Sequence, residues 1–144
     1  MQQKPNGEIL VVDDDPLTRK MLVRTLTAGG YECMDAENGL AAWEKMHAHQ
    51  PNLVLLDLEM PGLDGAELVR KMRADADLAI AQIPAIMLTG HSDEQSEVLC
   101  LEAGADDFVT KPINTTVLRA RIQTQLRLRL MREQLRQQNE ELEA

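Results

Sequence analysis

The sequence predicts an α/β fold in which a doubly wound five-stranded parallel sheet is flanked by five helices, and two observations carry that reading. Short apolar runs alternate with longer segments bearing helix start and stop signals, the arrangement that a parallel sheet covered by helices requires. The runs at residues 9–12, 53–56 and 85–88 are also nearly continuous in apolar character, as expected of strands buried on both faces. Residues 31–36 and 108–109 are weaker candidates for two further strands. Right-handed crossovers then place helices on both sides of one sheet.

Between the runs the helix signals follow in order. Asp15-Pro16 offers a cap and a first-turn proline for a helix that Gly29-Gly30 ends, and Asn38 caps a second that runs to about His49. Asp64 with Glu67 and Ser92 with Gln95 have capping-box spacing, the latter being the stricter match, and Gly104 is placed to stop the second of these helices. Asn114 opens the fifth. No breaker interrupts residues 115–144, so at about 1.5 Å per residue that helix reaches roughly 40 Å, longer than such a domain needs. The predicted organisation is a globular domain over 7–125 and a projecting helical extension over 126–144.

The extension carries Leu128, Leu135 and Leu142 at seven-residue spacing, a pattern that suits a two-stranded coiled coil. One frame adds Gln125, Arg132 and Asn139 to the seam, and the other adds Met131 and Gln138. The sequence does not choose between them. A solvated helix is the plain alternative.

A chain of 144 residues accommodates one core. That core must be aliphatic, because Tyr31, Trp43 and Phe108 are the only aromatic residues within a hydrophobic share of 44%. A formal net charge of -9 repels phosphate backbones and anionic headgroups, which argues against direct contact with nucleic acid or membrane. A cation or a basic partner suits it better. No stretch approaches the roughly 18 to 20 apolar residues of a membrane span and the amino terminus lacks a secretory apolar run, so a cytoplasmic location is expected. Cys33 and Cys100 stand apart from each other and from any His cluster, and read as ordinary buried thiols.

Ligands of open parallel sheets bind beyond the carboxyl ends of the strands. There the runs end in Asp13-Asp14-Asp15, Asp57, Thr89 and Thr110-Lys111-Pro112. Several carboxylates gathered in one place repel each other unless a hard, oxygen-ligated cation neutralises them. Mg²⁺ fits best, since it accepts few protein ligands and bridges to phosphate oxygens. Lys111 and Thr89 are then placed to bind the remaining oxygens of a phosphoryl group on Asp57, the nucleophile.

The segments Val11-Val12-Asp13-Asp14-Asp15, Leu56-Asp57-Leu58-Glu59-Met60-Pro61-Gly62-Leu63-Asp64-Gly65, Leu88-Thr89-Gly90 and Val109-Thr110-Lys111-Pro112 together resemble the receiver domain of bacterial two-component response regulators over about residues 7 to 125. Each is weak alone; their occurrence in order, each after a predicted strand, is specific. The resemblance implies a flavodoxin-like strand order of 2-1-3-4-5 and Mg²⁺ as cofactor, with Mn²⁺ able to substitute. It assigns direct metal ligation to Asp14 and Asp57, a largely water-mediated role to Asp13, and a backbone-carbonyl ligand to Glu59. Asp57 would accept the phosphoryl group from a histidine kinase or a histidine phosphotransfer protein. Lys111 would contact that group, Thr89 would move to bond it, and Phe108 would turn inward as the aromatic switch. Glu59 and His91 occupy positions that tune phosphoryl lifetime, Phe108 stands where many relatives have Tyr, and the Lys111-Pro112 bond would be cis. The resemblance implies no catalysis beyond Mg²⁺-dependent self-phosphorylation and self-dephosphorylation. The leucine repeat of the tail, helped by receiver-to-receiver contacts, leads to an expected homodimer whose carboxyl-terminal helix would link to an output module.

Plainer readings compete with these. Asp15 reads as a helix cap. For Asp13 and Asp14 capping alone is insufficient once Asp57 and Lys111 are considered. His47, His49 and His91 read as surface residues, and Trp43 and Met46, at helical spacing, as packing residues. The competing enzyme class is a Mg²⁺-dependent phosphatase of the haloacid-dehalogenase type, whose aspartyl motif resembles Asp13-x-Asp15. It is disfavoured because Pro16-Leu17 departs from that motif and no substrate-selecting cap segment is present.

Overall fold

The apolar runs pair edge to edge because each must bury both faces while its backbone groups find partners. In the computed structural model, which describes residues 7–91 and 93–143, they form β1 (Glu8–Val12), β2 (Glu32–Ala36), β3 (Leu53–Asp57), β4 (Ala85–Thr89) and β5 (Asp107–Thr110). All neighbours are parallel and their order is β2-β1-β3-β4-β5, as expected. Every residue of β3 and β4 is buried. At the sheet edge β2 is only partly covered, which explains its weaker apolar run.

Successive strand residues point to opposite faces, so each strand contributes to two cores. Ile9, Val11, Leu53, Leu55, Ile86 and Leu88 pack under α1 (Pro16–Ala28) and α6 (Thr115–Glu143), which supply Leu22, Leu26, Leu118 and Ile122. On the other face Leu10, Val12, Val54, Leu56 and Met87 meet α2 (Gly39–His49), α3 (Gly65–Arg73) and α5 (Glu94–Ala103) through Met46, Leu68, Met72 and Cys100. Cys100 is buried as expected, whereas Cys33, on the edge strand, is half-buried.

The described residues form six helices, not the expected five. The extra element is α4 (Leu78–Ala81), a single turn capped by the Asp77 side chain, which accepts from the Ala79 N–H at 2.9 Å. Four residues are too few to display a helical period. Asp15, Asn38 and Asp64 cap α1, α2 and α3, and Asp64 with Glu67 forms the full reciprocal box. The fourth expected cap is corrected: Ser92 lies outside the described residues, and α5 is capped by Asp93, whose Oδ1 accepts from Ser96 N–H at 2.8 Å. An ionised acceptor is better matched to a helix amino terminus than a hydroxyl. The bond from Ser96 accordingly draws the Asp93 carboxyl below its ordinary range.

Gly104 ends α5 at φ 108°, where a side chain would be strained. Its carbonyl accepts from Arg73 Nε at 2.9 Å. The same guanidinium donates to Ala81 O at 2.8 Å, Ile83 O at 2.7 Å and Asp106 Oδ2 at 2.9 Å. One side chain thereby ties together the end of α3, the α4 turn and the entry to β5.

The first half of α6 is held by Leu118, Ile122 and Gln125, all buried; beyond it exposure climbs through Leu128 (43%) and Leu135 (61%) to Leu142 (85%). The pairs Arg129–Glu133 and Arg136–Glu140 support it at i,i+4 spacing. No described helix is long and apolar enough to cross a membrane.

Trp43 and Met46 pack as expected, but His47 does more than cover surface. Its Nδ1 faces the Trp43 carbonyl at 2.8 Å and its Nε2 faces Asp75 Oδ2 at 2.7 Å. A neutral imidazole has one N–H, so only the imidazolium satisfies both acceptors. The carbonyl of Trp43, and then Asp75, raise its pKa above the ordinary 6.5. Because the folded value is the higher one, this link between α2 and the segment after α3 stabilises the protein fully below pH 6.5 and is lost as pH rises through the folded value. Denaturant unfolding of wild type and His47→Gln at a series of pH values should show a stability gap that is widest in mild acid and closes as the solution becomes alkaline.

Candidate metal centre at the carboxyl edge of the sheet

The strand register makes the site. Val12 pairs with Leu56, Asp57 with Leu88, and Thr89 with Thr110, so the residues that follow the apolar runs lie side by side along one edge. Asp13 continues β1 by donating its N–H to Ala36 O at 3.2 Å, and its Oδ1 accepts from Asp15 N–H at 2.9 Å. The backbone beside the acceptor strand is closely packed. A Cβ on Gly65 would lie 2.4 Å from the Asp57 carbonyl oxygen and 2.8 Å from Met87 Sδ. Glycine there lets α3 start directly against the end of β3, and Gly65 N–H donates to Leu58 O at 3.0 Å.

Asp13, Asp14 and Asp57 each bring a carboxylate oxygen into one cluster whose ligand atoms lie within 4.8 Å of one another. Asp13 and Asp57 are buried, while Asp14 is exposed. Asp57 Oδ1 accepts from Glu59 N–H at 3.2 Å, and Lys111 Nζ lies 3.3 Å from Asp57 Oδ2. Lys111 is 3.8 Å from Asp13 Oδ2, close enough for attraction and too far for a hydrogen bond. That oxygen is buried with no hydrogen-bond partner among the described residues.

Electrostatics agree with the geometry. Burial pushes both the Asp13 and Asp57 carboxyls above their ordinary range, although Lys111 pulls each back. One ammonium does not balance three carboxylates. An unsatisfied buried acceptor costs about 1–3 kcal/mol, and more when charged. Hard oxygen donors at this spacing, one of them lacking any donor, fit a divalent cation such as Mg²⁺.

Around this cluster are the other expected residues. Thr89 is buried at the end of β4, where its Oγ1 accepts from His91 N–H at 3.1 Å and donates to His91 O at 3.3 Å. The Thr89 carbonyl accepts from Lys111 N–H at 2.8 Å, which joins the ends of β4 and β5. Phe108 is half-buried against the core on the α2, α3 and α5 face. The Lys111-Pro112 bond is cis, as the resemblance implied. Asp15 is outside the cluster: it accepts from Leu17 N–H at 3.3 Å and from Thr18 Oγ1 at 2.6 Å as the cap of α1. A haloacid-dehalogenase-type site would turn both Asp13 and Asp15 toward substrate, so that alternative loses its second carboxylate.

Two features went unread in the sequence. Glu59 and His91 touch, with Oε1 and Nε2 at 2.7 Å, linking the loop after Asp57 to the loop after Thr89. Arg19 donates through Nη1 to the Asp13 carbonyl at 2.8 Å and through Nε to Asp35 Oδ2 at 3.0 Å. Both are contacts between residues on different loops or elements, and no local motif signals them.

Comparison with known proteins agrees with this architecture. The response regulator receiver domain family matches residues 9–123. The phosphate regulon transcriptional regulatory protein PhoB of Pseudomonas aeruginosa is 42% identical over 119 residues, covering 83% of this chain and 51% of that protein. The DNA-binding response regulator MtrA of Mycolicibacterium smegmatis is 41% identical over 119 residues, covering 83% of this chain and 50% of MtrA. The chain therefore spans about half the length of these curated relatives. Among solved structures, the signal receiver domain of a histidine kinase from Syntrophus aciditrophicus superposes with a TM-score of 0.76 at 38% identity, covering 83% of this chain and 89% of that one. A CheY-like response regulator receiver domain protein from Methanospirillum hungatei gives a TM-score of 0.78 at 30% identity, covering 87% and 97%. With the sheet order, the carboxylate edge and the family match in agreement, the chain belongs to the receiver domains of two-component response regulators.

Proposed function

We propose that Asp57 is the phosphoryl acceptor of this receiver, supplied by a histidine kinase or a histidine phosphotransfer protein. The observation that carries this reading is the Asp57 carboxylate, buried at the strand end, 3.3 Å from Lys111 and clustered with Asp13 and Asp14. Asp13, Asp14, Asp57 and the Glu59 carbonyl would hold Mg²⁺, or Mn²⁺ in its place. The ion supplies neutralisation of the carboxylates and of the developing charge on the phosphoryl oxygens. Asp57 forms an O–P bond as the N–P bond of the donor phosphohistidine breaks, and the bonding pair remains on the imidazole nitrogen. Lys111 offers its ammonium to the transferred group. Water later attacks phosphorus, releasing phosphate and restoring the carboxylate. These self-phosphorylation and self-dephosphorylation steps are the catalysis assigned to the chain.

Thr89 reports the event. Its hydroxyl gives up its bonds to the His91 backbone and donates to a phosphoryl oxygen, and Phe108 turns inward as it moves. Glu59 and His91, in mutual contact beside Asp57, govern the approach of water and hence phosphoryl lifetime. With a net charge of -9 the segment itself avoids nucleic acid and membrane surfaces and acts in the cytoplasm. PhoB and MtrA are named as transcriptional and DNA-binding regulators, and in this reading any such contact belongs to parts of a whole protein outside this segment.

The organisation we favour is a receiver over 7–125 and a helical linker over 126–144 that pairs with a second copy. Of the two coiled-coil frames we favour the one that places Met131 on the seam. In support, Gln125 is buried against the domain, and Arg132 and Asn139 line a groove with Gln50, Pro51 and Leu78. Leu128, Met131 and Leu142 lie outside the groove and are exposed, whereas Leu135, also exposed, lines it. About two heptads make a short coil, so contacts between receiver faces must contribute.

Incubation with acetyl phosphate and Mg²⁺ should add one phosphoryl mass to the intact protein, and Asp57→Asn should abolish stable labelling; undiminished mass addition in that variant would remove Asp57 from the acceptor role. Thr89→Ala should still bind beryllofluoride, a phosphoryl mimic, yet fail to shift the amide resonances around Phe108; shifts equal to wild type would break the proposed coupling. Sedimentation of the full chain and of a version ending at Gln125, each with and without beryllofluoride, should show dimer only where residues 126–144 are present, strengthened by the mimic. Monomeric behaviour of all four samples at high micromolar concentration would defeat the coiled-coil proposal.

A further inference from the structure

We propose that Arg19 is a positioning residue for the metal centre, acting through the backbone of Asp13. The inference rests on the metal reading above. The N–H of Asp13 is committed to Ala36 O, its Oδ1 to Asp15 N–H, and its carbonyl to Arg19 Nη1. Only Oδ2 is left to face the cluster. Removing any one of these ties loosens the loop that aims Oδ2, and the tie from Arg19 is the one made by a side chain from outside that loop.

Arg19 is itself well fixed. Its side chain is only 15% exposed, and its Nε is anchored on Asp35 Oδ2 at 3.0 Å. Asp35 is steadied in turn by Lys45 Nζ, which donates to its carbonyl from α2. A planar guanidinium can serve two acceptors in fixed relative directions, here a carboxylate on the edge strand β2 and a carbonyl just past the end of β1. The bridge therefore sets the β1–α1 loop against β2 and, with it, the direction of the free Asp13 oxygen. Outer partners of this kind typically alter metal affinity about 10–100-fold when removed.

The direction of the effect separates three roles. If Arg19 acted mainly as a nearby positive charge, its loss would tighten cation binding. A general staple of the fold would lower the melting temperature and leave metal affinity unchanged. As a positioning residue, its loss weakens Mg²⁺ binding.

Calorimetric Mg²⁺ titration of the unphosphorylated full chain measures this directly, with melting curves in EDTA recorded in parallel. Arg19→Ala should raise the Mg²⁺ dissociation constant at least tenfold, while acetyl phosphate labelling at saturating Mg²⁺ returns toward the wild-type extent. Asp35→Ala, which frees Nε but leaves the Asp13 carbonyl within reach, should produce a smaller rise. Arg19→Lys, which keeps the charge but lacks the planar fork that spans the two acceptors, should fall between wild type and Arg19→Ala. Unchanged or tighter Mg²⁺ binding in Arg19→Ala overturns the proposal. Should that variant fail to fold, wild-type affinity in both Asp35→Ala and Arg19→Lys overturns it equally, and weakened affinity in them supports it. Absence of Mg²⁺ binding by the wild type would instead overturn the metal reading on which the inference stands.

Discussion

Asp13 and Asp57 extend neighbouring strands into the same small volume, both buried, with Lys111 as their shared cation. Burial raises both carboxyls, which means the fold carries a charge arrangement that opposes its own stability. The rest of the edge holds that arrangement in place. Backbone N–H groups of Asp15 and Glu59 each satisfy one carboxylate oxygen, and Gly65 allows α3 to brace the acceptor strand from behind. The aliphatic layers of β3 and β4, buried at every position, oppose the cost from below. Functional sites commonly store unfavourable terms in this way, because the ligand that relieves them gains the difference as binding energy.

The same edge links the responses of its loops. Thr89 is joined to Lys111 through the backbone and to His91 through its hydroxyl, and His91 reaches Glu59 two residues beyond Asp57. The loops after β3, β4 and β5 thus form a closed path of contacts around the acceptor. A hydroxyl that both accepts from and donates to one neighbouring residue has an alternative once a stronger, charged acceptor is offered. Such an exchange needs only a difference in affinity between two arrangements, not a new fold.

Legibility in the sequence followed the range of each interaction. Central strands were readable because burial on both faces imposes continuous apolar runs, and Asp13, Asp57, Thr89 and Lys111 were readable because sheet topology brings strand ends to one edge. Asp15, Asn38, Asp64 and Gly104 act within a few residues and were found at their places. The cap of α5 was misjudged because Ser92 and Asp93 are adjacent candidates, and choosing between them requires the entry angle of the chain. Arg73, with acceptors 8 to 33 residues away, and His47, with Asp75 28 residues away, obey no spacing rule. Arg19 belongs with these, since its two acceptors lie on opposite sides of it in sequence and converge only when β1 and β2 pair.

The path from the site to the far end of α6 is short in structural terms. Asp107, next to Phe108, is bonded by Arg121 Nη1 at 3.0 Å, and Leu118 and Ile122 of the same helix lie in the core beside Val109. On the proposed reading, a shift of Phe108 within β5 would act on the first turns of α6 through this ion pair and through packing. From Thr115 to Glu143 the helix has no break, so a rotation imposed at its start is carried to its end rather than absorbed in a loop. The buried Gln125 and the groove-lining Arg132 turn one face toward the domain, leaving Leu128 and Met131 outside the groove and exposed. On the proposed reading that outward stripe is what a second copy meets, and a small rotation of α6 changes which residues occupy its centre. The arginine near the middle of the tail then matters for specificity. Rotated toward the partner, Arg132 would bring like charges together, whereas Met131 in the same place would bring apolar surface, so one rigid helix can favour association in one orientation and oppose it in the other.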